Sequence, residues 1–261
     1  MAGLDISPTH SNRDLRDEIK DYWSDRAATF DLDPGHKIAA GAERAAWKVL
    51  FRRHLGEAGG RRLLDLASGT GEIAMLCHEL GYRVTGLDWA EPMLDRARAK
   101  AAAAGADVIF LQADAERTML PAASQDVIVT RHLVWTLVDP AAAFAEWFRV
   151  LAPGGQLLVV DGDFVSKSRA HRLLSRLLGL TRRPVEGGMA DRHAGILSRV
   201  HFSTGARAVE VAFLLEQAGF TEIVIDTRLG QIHKAQLSGL GWKRVLLRSS
   251  EHRYAISARK E

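Results

Sequence analysis

The chain has 261 residues, 47% of them hydrophobic and 26% charged, with one cysteine. That apolar content supplies a full core and excludes disorder as the main state, and a single cysteine excludes a disulfide scaffold. Lysine and arginine total 35 against 32 acids, a net charge of +3; this near balance, without a groove-reading or base-stacking motif, gives no reason to expect a nucleic-acid partner.

The N-terminal stretch through Trp23 has no apolar h-region and carries acids early, unlike a secretory signal. No run approaches the roughly 18 apolar residues of a membrane span, and a reducing cytoplasm is the expected location. Residues 1–55 read as helical. Strand-like apolar runs follow at Arg62–Ser68, Arg83–Asp88, Val108–Asp114, Asp126–Leu133 and Gln156–Asp161, with helical patterns between them. Ile73, Leu76, Cys77 and Leu80 keep the i, i+3, i+4, i+7 spacing, and Gly81 ends that helix. The run Ala101–Ala104 reads as helix. Phe144, Trp147, Phe148 and Leu151 repeat the spacing behind Asp139 as N-cap and Pro140 in the first turn. Pro153-Gly154-Gly155 is expected to break the chain before the next strand.

Between Val165 and Ala208 lies a basic, partly helical insertion. Beyond it Val211, Leu214, Leu215 and Ala218 form a further stripe closed by Gly219, then Thr221–Thr227 reads as a strand. Gln231–Ser250 shows no clean period. Arg253–Arg259 alternates Tyr254, Ile256 and Ala258 with polar residues, the pattern of a closing edge strand. Strands alternating with helices predict a parallel sheet covered on both faces. The two flanking segments, 1–55 and 165–208, read as attachments to one domain spanning 1–261.

The most informative stretch is Leu63-Leu64-Asp65-Leu66-Ala67-Ser68-Gly69-Thr70-Gly71-Glu72-Ile73-Ala74: a strand, a glycine turn and a helix start. From Gly69 it satisfies G-x-G-x-x-A, and Asp88, 19 residues on, ends the next strand, where a ribose-binding acid belongs. Asp65 argues against a dinucleotide, because a pyrophosphate over this helix start would sit near its carboxylate and be repelled. A ligand with an ammonium and no phosphate fits the same geometry.

These residues, followed by VTGLDWAEPML, LQADAERTMLPAASQDVIV and FRVLAPGGQLLVVD, resemble in order and spacing the class I S-adenosylmethionine-dependent methyltransferases. The likeness is strongest to the small-molecule group related to ubiquinone and menaquinone biosynthesis enzymes. It covers Arg61–Phe164 and, more loosely, Val209–Thr227. It implies a Rossmann-like α/β fold: a mostly parallel seven-stranded sheet, an antiparallel C-terminal strand, an N-terminal helical lid and a helical cap insertion. It also implies S-adenosyl-L-methionine as cofactor, with S-adenosyl-L-homocysteine as product. By the resemblance, Asp65 and the turn Ala67, Ser68, Gly69, Gly71 lie against the methionine part. Asp88 takes the ribose hydroxyls, Trp89 and Met93 flank the adenine, and Asp114 with the Ala115 amide reads its amino edge. The family usually has glycine where this chain has Ala67, which narrows the approach of the backbone to the ligand.

The stretch Tyr22–Asp31 is similar to the lid of such enzymes, with Trp23 placed to cover the methyl and Arg26 to grip the cofactor carboxylate. His36 lies in a turn beside it. After the fourth strand come Arg131, beside the cofactor, and His132 and Trp135, where methyl and acceptor should meet. His132 is the candidate base, since imidazole accepts a proton near neutral pH; Asp163, past the fifth strand, is a further candidate. The leucines and arginines of Ser166–Leu178 read as a solvated helix, a lid over an apolar acceptor or a membrane-surface contact. His193 and His201 belong to the same cap, and the ten histidines form no metal-ligand pattern. The expected activity is in-line methyl transfer to a small-molecule acceptor at O, N, S or C. A non-catalytic cofactor-binding module and a nicotinamide-dependent oxidoreductase are the alternatives. The absence of Asn-Pro-Pro-Tyr at Thr130–Leu133 speaks against base-amine methylation.

Overall fold

The computed structural model describes residues 14–33, 35–163, 188–237 and 252–261. Two helices precede the sheet: α1 (Leu15–Arg26), capped by Asp14, whose side chain accepts from the Asp17 amide at 3.0 Å, and α2 (Ala42–Leu55). Then β1 (Arg62–Leu66), α3 (Glu72–Glu79), β2 (Arg83–Asp88), α4 (Glu91–Ala104) and β3 (Val108–Gln112) alternate. They are followed by β4 (Gln125–Arg131), α5 (Pro140–Val150) and β5 (Leu151–Gly162). The remaining described elements are α6 (Met189–Leu197), α7 (Ala208–Gln217), β6 (Thr221–Asp226), α8 (Gly230–Leu237) and β7 (Arg253–Arg259).

The sheet runs β3-β2-β1-β4-β5-β7-β6, parallel from β3 to β5, with β7 antiparallel to both neighbours. Alternate strand residues face opposite layers. Leu63, Val84, Val127 and Leu158 bury against α2, α3 and α4, including Phe51 and Leu76. Leu64, Leu87, Ile128 and Leu157 bury against Phe144 and Trp147 of α5 and Leu215 of α7. The central strands are thereby covered on both faces, the arrangement of an α/β core, while the edge strands β3 and β6 leave Ile109 and Val224 exposed.

Three expectations change. The closing edge strand is not at an edge: β7 lies between β5 and β6, and both its faces are covered, with Ala255 as deeply buried as Ile256. Pro153-Gly154-Gly155 does not separate α5 from the strand. β5 follows α5 directly, and the register with β4 passes from Gln125↔Leu151 to Val127↔Gln156, so the extra residues fold into a bulge. A Cβ at Gly155 would sit 2.7 Å from the Ala152 carbonyl oxygen, which is why glycine stands there. Finally, part of the aperiodic stretch after Gln231 is helical, as α8; residues 238–251 lie outside the described set. So does Ser166–Leu178, and with it most of the expected cap. The cap's described end, α6 with Ile196, and Val200 beyond it, packs on Ile19 and Tyr22 of α1. No described helix is long and apolar enough to cross a membrane.

Candidate functional site

The parallel strands all end on one side of the sheet, and the loops leaving them line a cavity there. Two of those loops begin with a residue turned left-handed. β1 stops at Leu66 because Ala67 has φ 53°, and β4 stops at Arg131 because His132 has φ 61°. The strained backbone at Ala67 is the physical reason a glycine suits that position. Beyond Ala67 the loop is tied down on both sides: the Ser68 amide donates to Leu87 O at 2.9 Å, and the Gly69 amide to Asp88 Oδ2 at 2.9 Å.

Asp65, Asp88 and Arg131 set the electrostatics. Asp65 is 1% exposed; burial pushes its carboxyl up to about 8, although Arg131 and the Ala74 amide pull the other way. Its Oδ2 has no hydrogen-bond partner among the described residues, nor does Nη1 of Arg131. Arg131 Nη2 donates to the His36 carbonyl oxygen at 2.5 Å, and the guanidinium lies 5.5 Å from the Trp47 ring centre. Asp88 ends β2 and is raised to about 6 by burial, against the amides of Ala90, Gly69 and Trp89. It therefore both holds the glycine loop and caps the start of the segment leading into α4.

Trp89, Met93, Ala113, Asp114, Ala115 and Glu116 form one end of the cavity. Asp114 Oδ1 accepts from the Glu116 amide at 2.8 Å, which turns the loop inward. Glu116 is buried. It accepts from the Val138 amide at 2.6 Å and from the guanidinium of Arg16, whose Nε also lies 3.5 Å from Asp114 Oδ2. Helix α1 is thus latched to this end of the site.

At the other end, Trp23, Phe30, His36, Arg131, His132, Leu133, Thr136 and Leu137 line the cavity. Trp23 makes edge contacts with Phe30 at 6.0 Å and Trp135 at 6.3 Å. The rings of His36 and His132 are 6.3 Å apart. Four expected residues are not in the lining. Gly71 is instead the N-cap of α3, where a Cβ would meet Ala97 at 3.0 Å and Phe110 at 3.3 Å. Arg26 pairs with Asp33. Trp135 stands behind Trp23, and Asp163 lies against Gly205. His193 stacks on Tyr22 at 5.1 Å, behind the lid.

Sequence reasoning passed over Phe30, Ile73, Glu116, Leu133, Thr136 and Leu137. It also missed a clamp that ties the segment after α1 to the start of α3 and to α4. Lys100 Nζ binds Asp31 Oδ2 and Glu72 Oε1, each at 2.7 Å, the Thr70 hydroxyl donates to Asp31 at 2.6 Å, and the Ile38 amide donates to Glu72 at 2.9 Å. Phe30 and Glu116 stood inside stretches already singled out; the Lys100 clamp left no local signal.

A family model described as a methyltransferase domain matches residues 64–159. A demethylmenaquinone methyltransferase of Thermus thermophilus is 42% identical over 137 residues, 52% of this chain and 62% of that protein. One from Deinococcus radiodurans is 30% identical over 172 residues, 62% of this chain and 67% of that protein. The first match therefore spans under two thirds of its relative's length. Among solved structures, a geranyl diphosphate C-methyltransferase from Streptomyces coelicolor, in complex with Mg2+, geranyl diphosphate and S-adenosyl-L-homocysteine, superposes with a TM-score of 0.64. It shares 17% identity and covers 96% of this chain and 100% of its own. At that identity the likeness is one of fold.

Proposed function

The chain belongs to the class I S-adenosylmethionine-dependent methyltransferases, and on that premise we propose that it methylates a hydroxylated aromatic small molecule. One observation carries the placing of the cofactor: Asp65 Oδ2 and Arg131 Nη1, a carboxyl and a guanidinium, are buried without partners beside the same cavity. An amino acid zwitterion satisfies both, ammonium to Asp65 and carboxylate to Arg131, so Arg131 takes the role expected of Arg26. Asp88 receives the ribose hydroxyls, Trp89 and Met93 flank the adenine, and Asp114 with the Ala115 amide faces its amino edge. When bound, S-adenosylmethionine supplies a methyl group on a positively charged sulfur.

The chain's own contribution is to hold the acceptor in line and exclude water. Trp23 and Phe30, with Trp135 packed behind Trp23, make an aromatic wall over the acceptor end, and His36 and His132 put ionisable groups beside it. An aromatic ring bearing a hydroxyl matches both features. Relatives named demethylmenaquinone methyltransferase support the same class of acceptor. A nicotinamide dinucleotide is disfavoured by the Asp65 carboxyl under its pyrophosphate, and a purely binding module leaves the acceptor end unexplained.

The test is thermal melting with S-adenosylhomocysteine and with NAD, then transfer from methyl-labelled S-adenosylmethionine to a series of phenols and hydroquinones. Stabilisation by S-adenosylhomocysteine and a labelled aromatic product are expected, and mass spectrometry then locates the methyl on oxygen or ring carbon. Stabilisation by NAD alone overturns the reading.

A further inference from the structure

Two histidines, His36 and His132, line the acceptor end, and the contacts of the His36 ring fix its tautomer. His36 Nδ1 lies 2.9 Å from the Phe30 carbonyl oxygen. A carbonyl only accepts, so Nδ1 carries the hydrogen and Nε2, at the opposite edge of the ring, keeps its lone pair. Nothing among the described residues hydrogen-bonds to Nε2. The ring is fixed face to face with Phe30, centroids 4.1 Å apart at 26°.

The backbone under that ring is fixed as well. The His36 amide donates to Asp33 O at 3.2 Å, and its carbonyl receives Arg131 Nη2. Asp31 and Ile38, on either side, are tied to Thr70, Lys100 and Glu72 around the glycine loop. His36 is thereby held through Arg131, which lines the same cavity, and through the Lys100 clamp.

We propose that His36 is the proton acceptor of the reaction, its Nε2 taking the hydroxyl proton of the bound acceptor. This rests on the hydroxylated acceptor proposed above. His132 borders the same end of the cavity, its ring centroid 6.3 Å from that of His36. The O–H bond breaks and its proton passes to Nε2. The electron pair left on the acceptor, at oxygen or delocalised onto ring carbon, forms the bond to the methyl carbon. The carbon–sulfur bond breaks with its pair going to sulfur, which becomes the thioether of S-adenosylhomocysteine. If carbon is methylated, the ring C–H proton then leaves and the hydroxyl is restored, so one proton is released in either case.

The surroundings keep the imidazole neutral and ready. Burial lowers its basicity below the ordinary range; the Phe30 carbonyl and Asp33 oppose this, and Arg131 and Arg26 add to it. His132 is the other titratable ring on this side.

The experiment compares wild type with His36→Gln and His36→Ala on two acceptors: a simple phenol, and a nitrophenol already ionised at the assay pH. With the phenol, His36→Gln is expected to lower kcat by about 10²- to 10⁴-fold and remove the acid limb of its pH profile. With the nitrophenol the loss in kcat is expected to be at least about tenfold smaller than with the phenol. Nitrogen NMR of the ligand-free wild type is expected to show the Nδ1–H tautomer. Equal loss on both acceptors, wild-type turnover of phenol by His36→Gln, or an Nε2–H tautomer each overturns the proposal. A wild type that methylates no hydroxylated ring overturns the acceptor reading and this one with it, whereas active wild type with indifferent variants overturns this one alone.

Discussion

Asp65 Oδ2 and Arg131 Nη1 are buried at the same cavity wall, belong to a carboxyl and a guanidinium, and have no hydrogen-bond partner among the described residues. An incoming ammonium needs Asp65 ionised, yet burial holds that carboxyl near 8. Binding of S-adenosylhomocysteine below pH 8 is therefore expected to release a proton. Affinity should strengthen by up to about tenfold per pH unit between pH 6 and 8. Calorimetry in buffers of different ionisation enthalpy measures the release. Binding with no proton released, or weakening over this range, removes Asp65 as the ammonium partner; Asp65→Asn should abolish the pH slope.

The same burial fixes the sign of these acids' contribution to stability against pH. Asp65, Asp88 and Asp161 are raised from an ordinary 3.8 to about 8, about 6 and about 7. Above pH 4 the unfolded chain loses these protons before the folded one does. Their contribution is then full in acid and declines as pH rises to about 8, by up to about 1.4 kcal/mol per unit for each group still protonated only in the folded state. Burial holds His36, His54 and His193 below the ordinary 6.5, and they pull the other way at lower pH, so the decline is expected in melting followed from pH 7 to 8, and a midpoint that climbs over this range contradicts it.

Asp88 holds the Gly69 amide as well as offering an oxygen to the cofactor. Asp88→Ala is expected to cost about 1.5–3 kcal/mol of S-adenosylhomocysteine binding, measured by calorimetry. An affinity equal to wild type would take Asp88 out of the site.

At Ala67 the left-handed backbone, φ 53°, ranks three side chains. Ala67→Gly relieves strain of about 1–2 kcal/mol, partly offset by the freer unfolded chain. Ala67→Val adds a branched side chain in a conformation it avoids. Chemical denaturation should order stability Gly at or above Ala, and Ala above Val; Val equal to Ala would mean that the loop relaxes out of this conformation.

Arg16 latches α1 to Glu116 and Asp114. Such a half-buried pair is worth about 1 kcal/mol, so Arg16→Ala should weaken S-adenosylhomocysteine binding by about fivefold and speed proteolysis within α1. Unchanged affinity together with unchanged cleavage would show that α1 is not a lid.

Asp226 tests the converse, a buried charge remote from the cavity. Burial works against its ionisation, but Arg228, Arg53 and His54 hold its pKa well below the ordinary carboxylate range. Asp226→Ala removes the acceptor shared by the two guanidinia and the His54 ring and should destabilise the fold by about 1.5–3 kcal/mol while leaving cofactor affinity intact. A loss of affinity comparable to the loss of stability would tie this cluster to the site.

The central strands and helices were legible because each carried its own period and stop signal, as with Ile73–Leu80 before Gly81. The place of β7 was not, because alternation reports one covered face and is silent on a second; Ala255 and Ile256 are both buried. Within the site, the loop acids and Trp89 were readable from local spacing. The roles of Arg26 and His36 depended on partners that no local pattern names: Asp33 takes the first, and Phe30, with the Lys100 clamp below, fixes the second.

The insertion of β7 between β5 and β6 orders events during synthesis. β6 touches no other strand of the sheet, so it cannot join until residues 253–259 have left the ribosome and slotted in beside β5. Until then the nascent chain exposes the flank of β5 as an open edge, the kind of surface that recruits other chains. Chains truncated before residue 253 are therefore expected to aggregate more readily than the full chain.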